Sequence, residues 1–348
     1  FQAENSLAYK NDFLQKPVIN IWAKILVNKI TQKYPNLEVS LVYIESPANP
    51  TNSLVDIKKS KEIANYFSNK KSKTYLAIDN TFMGPVFSHP IDFGADLVLY
   101  SATKYIGGHS DIIAGSVCGN KILINRIKTM RVFLGNMANP FTCWLMLRSL
   151  ETLKLRMEKS AENANKIAIV LNNHKKIKKV HYLNLIPKKS NEYKIYKNQY
   201  SCGGGMISFD INGGEKEAFT FLDNLKLVKL AVSLGGTESL ACHPYSMTHA
   251  DVSKENKKLF GFTEALVRLS IGLEDSNDLL YDILKNIPNE NELLNKIAFD
   301  PKLKNNFNSE KNRVGLGMIF HVTPANIPTN FAYSLIFGLL TGNSNVVK

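Results

Sequence analysis

Leu97-Val98-Leu99-Tyr100-Ser101-Ala102-Thr103-Lys104-Tyr105-Ile106-Gly107-Gly108-His109 is an apolar run that closes in two small hydroxyl residues, a lysine and a glycine pair. The apolar part suits a buried strand. A lysine at the mouth of such a strand loses part of its hydration. Its amine is then easier to deprotonate and a better nucleophile. Ser101 and Thr103 are short donors able to hold a phosphate beside it. Taken alone, these residues favour the plainer reading of an exposed lysine after a strand.

Upstream, Thr74-Tyr75-Leu76-Ala77-Ile78 is a second apolar run, ending in Asp79-Asn80-Thr81-Phe82. Open α/β sheets bind ligands at the carboxyl ends of their strands. An aspartate there is able to pair with a protonated pyridine nitrogen, and a Schiff-base lysine with a phosphate grip is its complement. The alternative is an aspartate that caps the next turn. Further on, Arg268 stands in Ala265-Leu266-Val267-Arg268-Leu269-Ser270-Ile271-Gly272, otherwise largely apolar. A buried arginine costs free energy unless an anion meets it. From the residues alone the plainer partner is a structural salt bridge, to Glu264 or Glu274 for instance.

Four motifs occur in order: Glu45-Ser46-Pro47-Ala48-Asn49-Pro50-Thr51, Ile78-Asp79-Asn80-Thr81-Phe82, Ser101-Ala102-Thr103-Lys104-Tyr105 and Ser233-Leu234-Gly235-Gly236-Thr237-Glu238-Ser239. Together they resemble the cysteine/methionine-metabolism family of pyridoxal phosphate-dependent enzymes, from about residue 38 to about residue 286. The resemblance implies an α/β chain of the fold type I transferase class. That fold has a mostly parallel sheet sandwiched by helices, plus a small α+β C-terminal domain. It implies Lys104 as the Schiff-base lysine and proton carrier, Asp79 at the ring nitrogen, and Ser101 and Thr103 at the phosphate. Asn49 stands near the ring hydroxyl and the substrate carboxylate. Arg268 is the carboxylate fork, a bidentate task suited to arginine, with Ser233 helping to place that group. The implied chemistry is trans-sulfuration: γ-elimination or γ-replacement on a small sulfur-containing amino acid of the methionine or homoserine type. Cys242 stands where cystathionine γ-lyases carry Glu, which leaves methionine γ-lyase-like or cystathionine γ-synthase-like chemistry ahead. Intact members imply a homodimer or homotetramer.

The surrounding composition fits an enzyme of one large or two medium domains: 348 residues, 44% hydrophobic. The formal charge of +13 comes with lysine clusters such as His174-Lys175-Lys176-Ile177-Lys178-Lys179. No ordered nucleic-acid motif accompanies it, so a lysine-decorated surface is the expectation and nucleic acid is not an expected partner. Cys118, Cys143, Cys202 and Cys242 are scattered without metal-ligand spacing. We expect reduced thiols in a cytoplasmic protein and no metal. Phe331 to Leu340 is too short and too polar at its flanks to span a membrane.

Four segments are expected. Residues 1–37 are unassigned but helical in pattern, with an amphipathic helix over Ile19 to Ile30. Residues 38–150 alternate strand and helix, as a partial cofactor-binding domain. Residues 151–287 hold a long helix, Trp144 to His174 by periodicity, and the small domain. Residues 288–348 resemble the opening of an acyl-CoA reductase or aldehyde dehydrogenase. There Asn326 matches an oxyanion-holding asparagine and Lys348 a nucleotide-contacting lysine. This tail is expected to be inert as a reductase. Because the chain starts at Phe1 and the family's opening part is not recognisable before the Glu-Ser-Pro motif, an N-terminally truncated chain of doubtful activity is expected. Two alternatives stand beside the enzyme reading: an inactive truncated or fused remnant, and a fragment of an NAD(P)-dependent acyl-CoA reductase. No role is expected for His109, His243 or His249. Gly203-Gly204-Gly205 lacks the Lys-Ser/Thr of a phosphate loop and reads as a flexible entry to a strand.

Overall fold

The computed structural model describes residue 32, residues 39–69 and 72–288, and the strand segments 318–321 and 344–347. The helix expected over Ile19 to Ile30, Asn326 and Lys348 lie outside the described residues.

The first sheet contains β1 (Leu41–Glu45), β2 (Tyr75–Asp79), β3 (Leu97–Ser101) and β4 (Gly115–Gly119), in that order. The first two pairings are parallel and the β3–β4 pairing is antiparallel. The parallel β1–β2 crossover is made by helix α1 (Ile57–Phe67), whose Asp56 side chain accepts from the Lys59 N–H. Ile57 and Ala64 on α1 pack with Ile44, Leu76, Ile78 and Val98 into one apolar core. This is the buried, helix-covered parallel sheet that continuous apolar runs favour. Its register sets Glu45 beside Asp79, so two carboxylates end neighbouring strands.

A short helix α2 (Gly84–Phe87) follows β2, and α3 (Lys121–Leu134) follows β4. Periodicity predicts one helix over 144–174, but the structure has two, α4 (Pro140–Leu150) and α5 (Leu153–Asn172). Thr152 leaves helical geometry at φ −107° and ψ 3°. Arg156 takes over there: Nε donates to Thr152 Oγ1 at 3.1 Å and Nη2 to Ser149 O at 2.8 Å. The apolar faces differ too. Leu153 and Met157 are buried, whereas Phe141, Trp144, Leu147 and Leu150 of α4 are exposed.

The second sheet belongs to the later part of the chain. In chain order come β5 (Ile177–His181), α6 (Asn191–Gln199), β6 (Met206–Ile211), α7 (Glu215–Asn224), β7 (Lys229–Leu230), β8 (Leu240–Cys242), α8 (Lys254–Leu259), β9 (Leu266–Ser270) and α9 (Ser276–Asn286). The strand order is β5-β6-β9-β8-β7, antiparallel except for the β7–β8 pair. The lysine cluster runs into β5, an edge strand, which holds Lys178 and Lys179. Charged side chains along an edge discourage pairing with other chains, so a basic run and a strand are compatible here. In the apolar stretch Leu227 to Ser233 only Lys229–Leu230 is a strand. Asp282 of α9 gathers the N–H groups of Lys226, Leu227 and Val228 before it. After it, Arg268 holds the carbonyls of Val232 and Ser233, drawing the chain out of the sheet.

The three glycines 203–205 allow close packing. A Cβ on Gly205 would stand 2.1 Å from Ser160 Oγ on α5, and one on Gly203 would stand 2.8 Å from the Tyr182 ring. The described residues up to 288 fall in one compact unit. A separate unit contains β10 (Met318–His321) and β11 (Ser344–Val347), paired in parallel.

Candidate active site

The carboxyl ends of β2 and β3 carry the two groups singled out by the sequence. Asp79 Oδ1 accepts from Thr81 Oγ1 at 2.6 Å and from the Thr81 N–H at 3.0 Å. Its Oδ2 accepts from the Tyr43 hydroxyl at 3.1 Å. Thr81 Oγ1 in turn accepts from the Ser101 N–H at 2.8 Å. The Lys104 N–H closes a turn onto Ser101 O at 3.0 Å. One hydroxyl, Thr81, therefore ties the acidic strand end to the lysine turn.

The lysine side chain reaches toward the other sheet. Lys104 Nζ lies 3.4 Å from Ser233 Oγ. The Ser233 carbonyl accepts from Arg268 Nη2 at 3.2 Å, and Arg268 Nη1 donates to Asn49 Oδ1 at 3.0 Å. The Asn49 N–H reaches Glu45 Oε1 at 3.3 Å. Glu45 is the cross-strand neighbour of Asp79, which completes a circuit from Asp79 through Thr81, Ser101, Lys104, Ser233, Arg268, Asn49 and Glu45. Six of the seven predicted residues stand in it. Thr103 does not: its hydroxyl donates to Ala114 O and accepts from the Ala114 N–H.

Two close approaches hold these loops. Gly108 has φ +69°, and a Cβ there would stand 1.8 Å from Arg156 Nη1. That guanidinium donates to the carbonyls of Tyr105 at 2.8 Å and Ile106 at 3.4 Å, clamping the turn that carries Lys104. Gly235 has φ +73°, and a Cβ there would stand 2.8 Å from Tyr105 N. Glycine thus lets the Ser233 loop lie against the lysine loop.

The electrostatics follow from this packing. Burial, and then the charge of Arg268, lower the Lys104 pKa, which raises the fraction of nucleophilic amine. Arg268 is 2% exposed and its neighbours are Asn49 and backbone carbonyls. Its Nε is a buried donor with no partner, and no carboxylate among the described residues pairs with it, Glu264 and Glu274 included. Glu274 is instead taken up by the Ser239 N–H and hydroxyl. An uncompensated buried guanidinium is costly unless an anion joins it. Glu45 opens onto the cleft, yet burial around its carboxyl, then Asp79 alongside, pushes its pKa up to about 7.

Tyr43, Glu45, Thr81 and Arg156 received no role from the sequence. The Thr81 signal was present, since a hydroxyl two residues after a strand-end aspartate is an Asx-type arrangement. Arg156 gave no local signal. His243 is buried between Ser246 and the Glu264 carbonyl, His109 meets Gly107 O, and His249 meets Thr248. Cys242 faces Arg268 across β8 and β9, and burial pushes its thiol up, away from reactivity.

The group implied by the motifs is a phosphorylated pyridine aldehyde. The residues fit it: an amine with a single long contact, a carboxylate at the neighbouring strand end, and an unpaired guanidinium across the cleft. Comparisons with known proteins agree. A model of the family described as Cys/Met metabolism PLP-dependent enzyme matches residues 16–287, starting upstream of the motif-based limit. A model described as Acyl-CoA reductase (LuxC) matches residues 253–348. The chain is 42% identical over 245 residues to L-methionine gamma-lyase of Fusobacterium nucleatum subsp. polymorphum, covering 70% of this chain and 60% of that protein. It is 43% identical over 245 residues to cystathionine gamma-lyase of Bacillus subtilis (strain 168), covering 70% and 62%. It thus spans about three fifths of the length of these curated relatives. Among solved structures, cystathionine gamma synthase from Xanthomonas oryzae pv. oryzae in complex with cystathionine matches with TM-score 0.70 and 37% identity, over 79% of this chain and 66% of that one. Apo CalE6, a methionine gamma lyase from Micromonospora echinospora, matches with TM-score 0.69 and 31% identity, over 79% and 69%.

Proposed function

Since the chain belongs to the Cys/Met metabolism family of pyridoxal phosphate-dependent enzymes, we propose that it holds this cofactor at Lys104 and acts on a small sulfur-containing amino acid. The carrying observation is Arg268, a buried guanidinium with neutral partners and an orphaned Nε, one serine away from the Lys104 amine. A substrate carboxylate would replace the neutral partners with a charge-matched one. Bound pyridoxal phosphate supplies an electron sink that weakens the substrate's α C–H bond.

The chain's own groups have distinct tasks in this reading. Asp79, braced by Tyr43 and Thr81, keeps the ring nitrogen protonated. Lys104 Nζ is the attachment point and later the base that moves the α proton. Ser101 serves the phosphate; Thr103 would join it only by exchanging its bonds to Ala114. Asn49, Arg268 and Ser233 receive and orient the carboxylate. The outcome is γ-elimination or γ-replacement, a reading supported by relatives described as gamma-lyases and a gamma synthase. We extend the reading to a cytoplasmic homo-oligomer. Four free cysteines support a reducing compartment. Apolar side chains along α3 and α4, with Phe133 79% and Trp144 56% exposed, support contacts between copies.

Borohydride reduction of the chain incubated with pyridoxal phosphate, followed by peptide mass mapping, tests the site. The expected result is one covalent pyridoxyl group on Lys104. A label elsewhere, or none, overturns it. Release of methanethiol and 2-oxobutanoate from methionine then tests the substrate.

A further inference from the structure

A cavity of about 300 Å³ lies between the loop after β1 and the second sheet. Leu54, Leu183 and Phe260 line it together with Lys179, His181 and Glu192, and none of Asp79, Lys104, Ser233 or Arg268 does. Its size is at the small end of ligand pockets, which suits a metabolite rather than a nucleotide. Two opposite charges face one space, one on exposed Lys179 and one on half-buried Glu192, and neither side chain makes an ion pair or a hydrogen bond among the described residues. Burial raises the Glu192 pKa, and the positive charges of Lys179 and His181 only partly offset this. His181 is fixed by Asp210, 3.3 Å from its Nε2, and Asp210 is fixed by Thr263.

We propose that this cavity binds a small zwitterionic amino acid with an aliphatic side chain, separate from the substrate site. Its ammonium meets Glu192, its carboxylate meets Lys179, and its side chain lies on Leu54, Leu183 and Phe260. A lone anion would meet Lys179 but not Glu192, and a lone cation would meet Glu192 but not Lys179. The loop it touches is the one that presents Asn49. Asn52 donates from the cavity wall to His181 O and Met206 O, both at 3.0 Å, and Ser208 Oγ holds Pro50 O at 2.6 Å. Occupancy therefore bears on the residue that grips Arg268.

The test uses L-norleucine, which has no γ leaving group, on the full chain. A Phe260→Trp reporter reads occupancy of the cavity by its emission, and calorimetry without the reporter is the second measurement. Saturable binding should weaken at least tenfold in Lys179→Met and in Glu192→Gln. Hexanoate and norleucine methyl ester, each lacking one charge, should bind at least tenfold more weakly than norleucine. An emission change with inorganic phosphate but not with norleucine overturns the proposal. So does norleucine binding that ignores both variants, or no binding by either readout. Pyridoxyl labelling of Lys104 is unaffected by any of these outcomes, so this proposal and the cofactor reading fail separately.

Discussion

Replacing Arg156 with leucine removes the clamp on the turn that carries the proposed nucleophile. The guanidinium makes two short bonds to carbonyls, Tyr105 O and Ser149 O, both at 2.8 Å. Hydrogen bonds from charged donors contribute about 1.5–3 kcal/mol each. The 3.4 Å contact to Ile106 O adds little. Against this, burial lowers the Arg156 pKa, so part of the gain is spent on desolvation that leucine avoids. The net expectation is a loss of roughly 3 kcal/mol for the leucine variant, and less for Arg156→Lys, which keeps one donor to a carbonyl. Equilibrium urea unfolding measures the stability, and borohydride labelling with pyridoxal phosphate measures the turn. Lys104 labelling should slow at least tenfold in the leucine variant under conditions where it is fully folded. Unfolding within about 0.5 kcal/mol of the parent, with labelling unchanged, would show that the clamp does not position the amine.

Gly108→Ala should destabilise by more than about 1 kcal/mol, because φ is +69° and the new Cβ meets Arg156 Nη1; urea unfolding reads this. The Glu45 carboxyl titrates at about 7 when folded against 4.5 normally, so the folded state binds its proton more tightly. Its contribution to stability is full below pH 4.5 and is lost as pH rises through 7; Glu45→Gln should flatten that stretch of the stability profile. His249 behaves oppositely. Burial, then Arg268 and Lys257, hold its pKa at about 4 against 6.5, so its contribution is full above 6.5 and is lost as pH falls toward 4. His249→Gln should remove that acid-side slope in chemical unfolding at a series of pH values.

The legible part of the chain was the part written locally. Strand β3 and the Lys104 turn announce themselves as an apolar run closed by hydroxyls and glycines, and β2 ends in Asp79 by the same logic. Arg268 was legible because a charge in an apolar strand demands an explanation. Edge strand β5 was hidden, since an edge is free to carry lysines that mask its alternation. The division of α4 from α5 was hidden because helical spacing continues across Thr152 while the buried face does not. Arg156 and Glu45 were hidden for a further reason. Their partners, Tyr105 O and Asp79, lie far off in the chain, and periodicity carries no information about contacts at that range.

Asn49 and Arg268 are separated by 219 positions along the chain, yet they touch. A ribosome therefore releases the amine-bearing turn well before strand β9, and until β9 emerges Asn49 has no guanidinium to meet. Contacts of such span are the slow ones to form. A stalled or nicked chain lacking β9 would keep the lysine and the aspartate but have no grip for an amino acid's carboxylate, so the competent pocket is among the last things the polypeptide acquires.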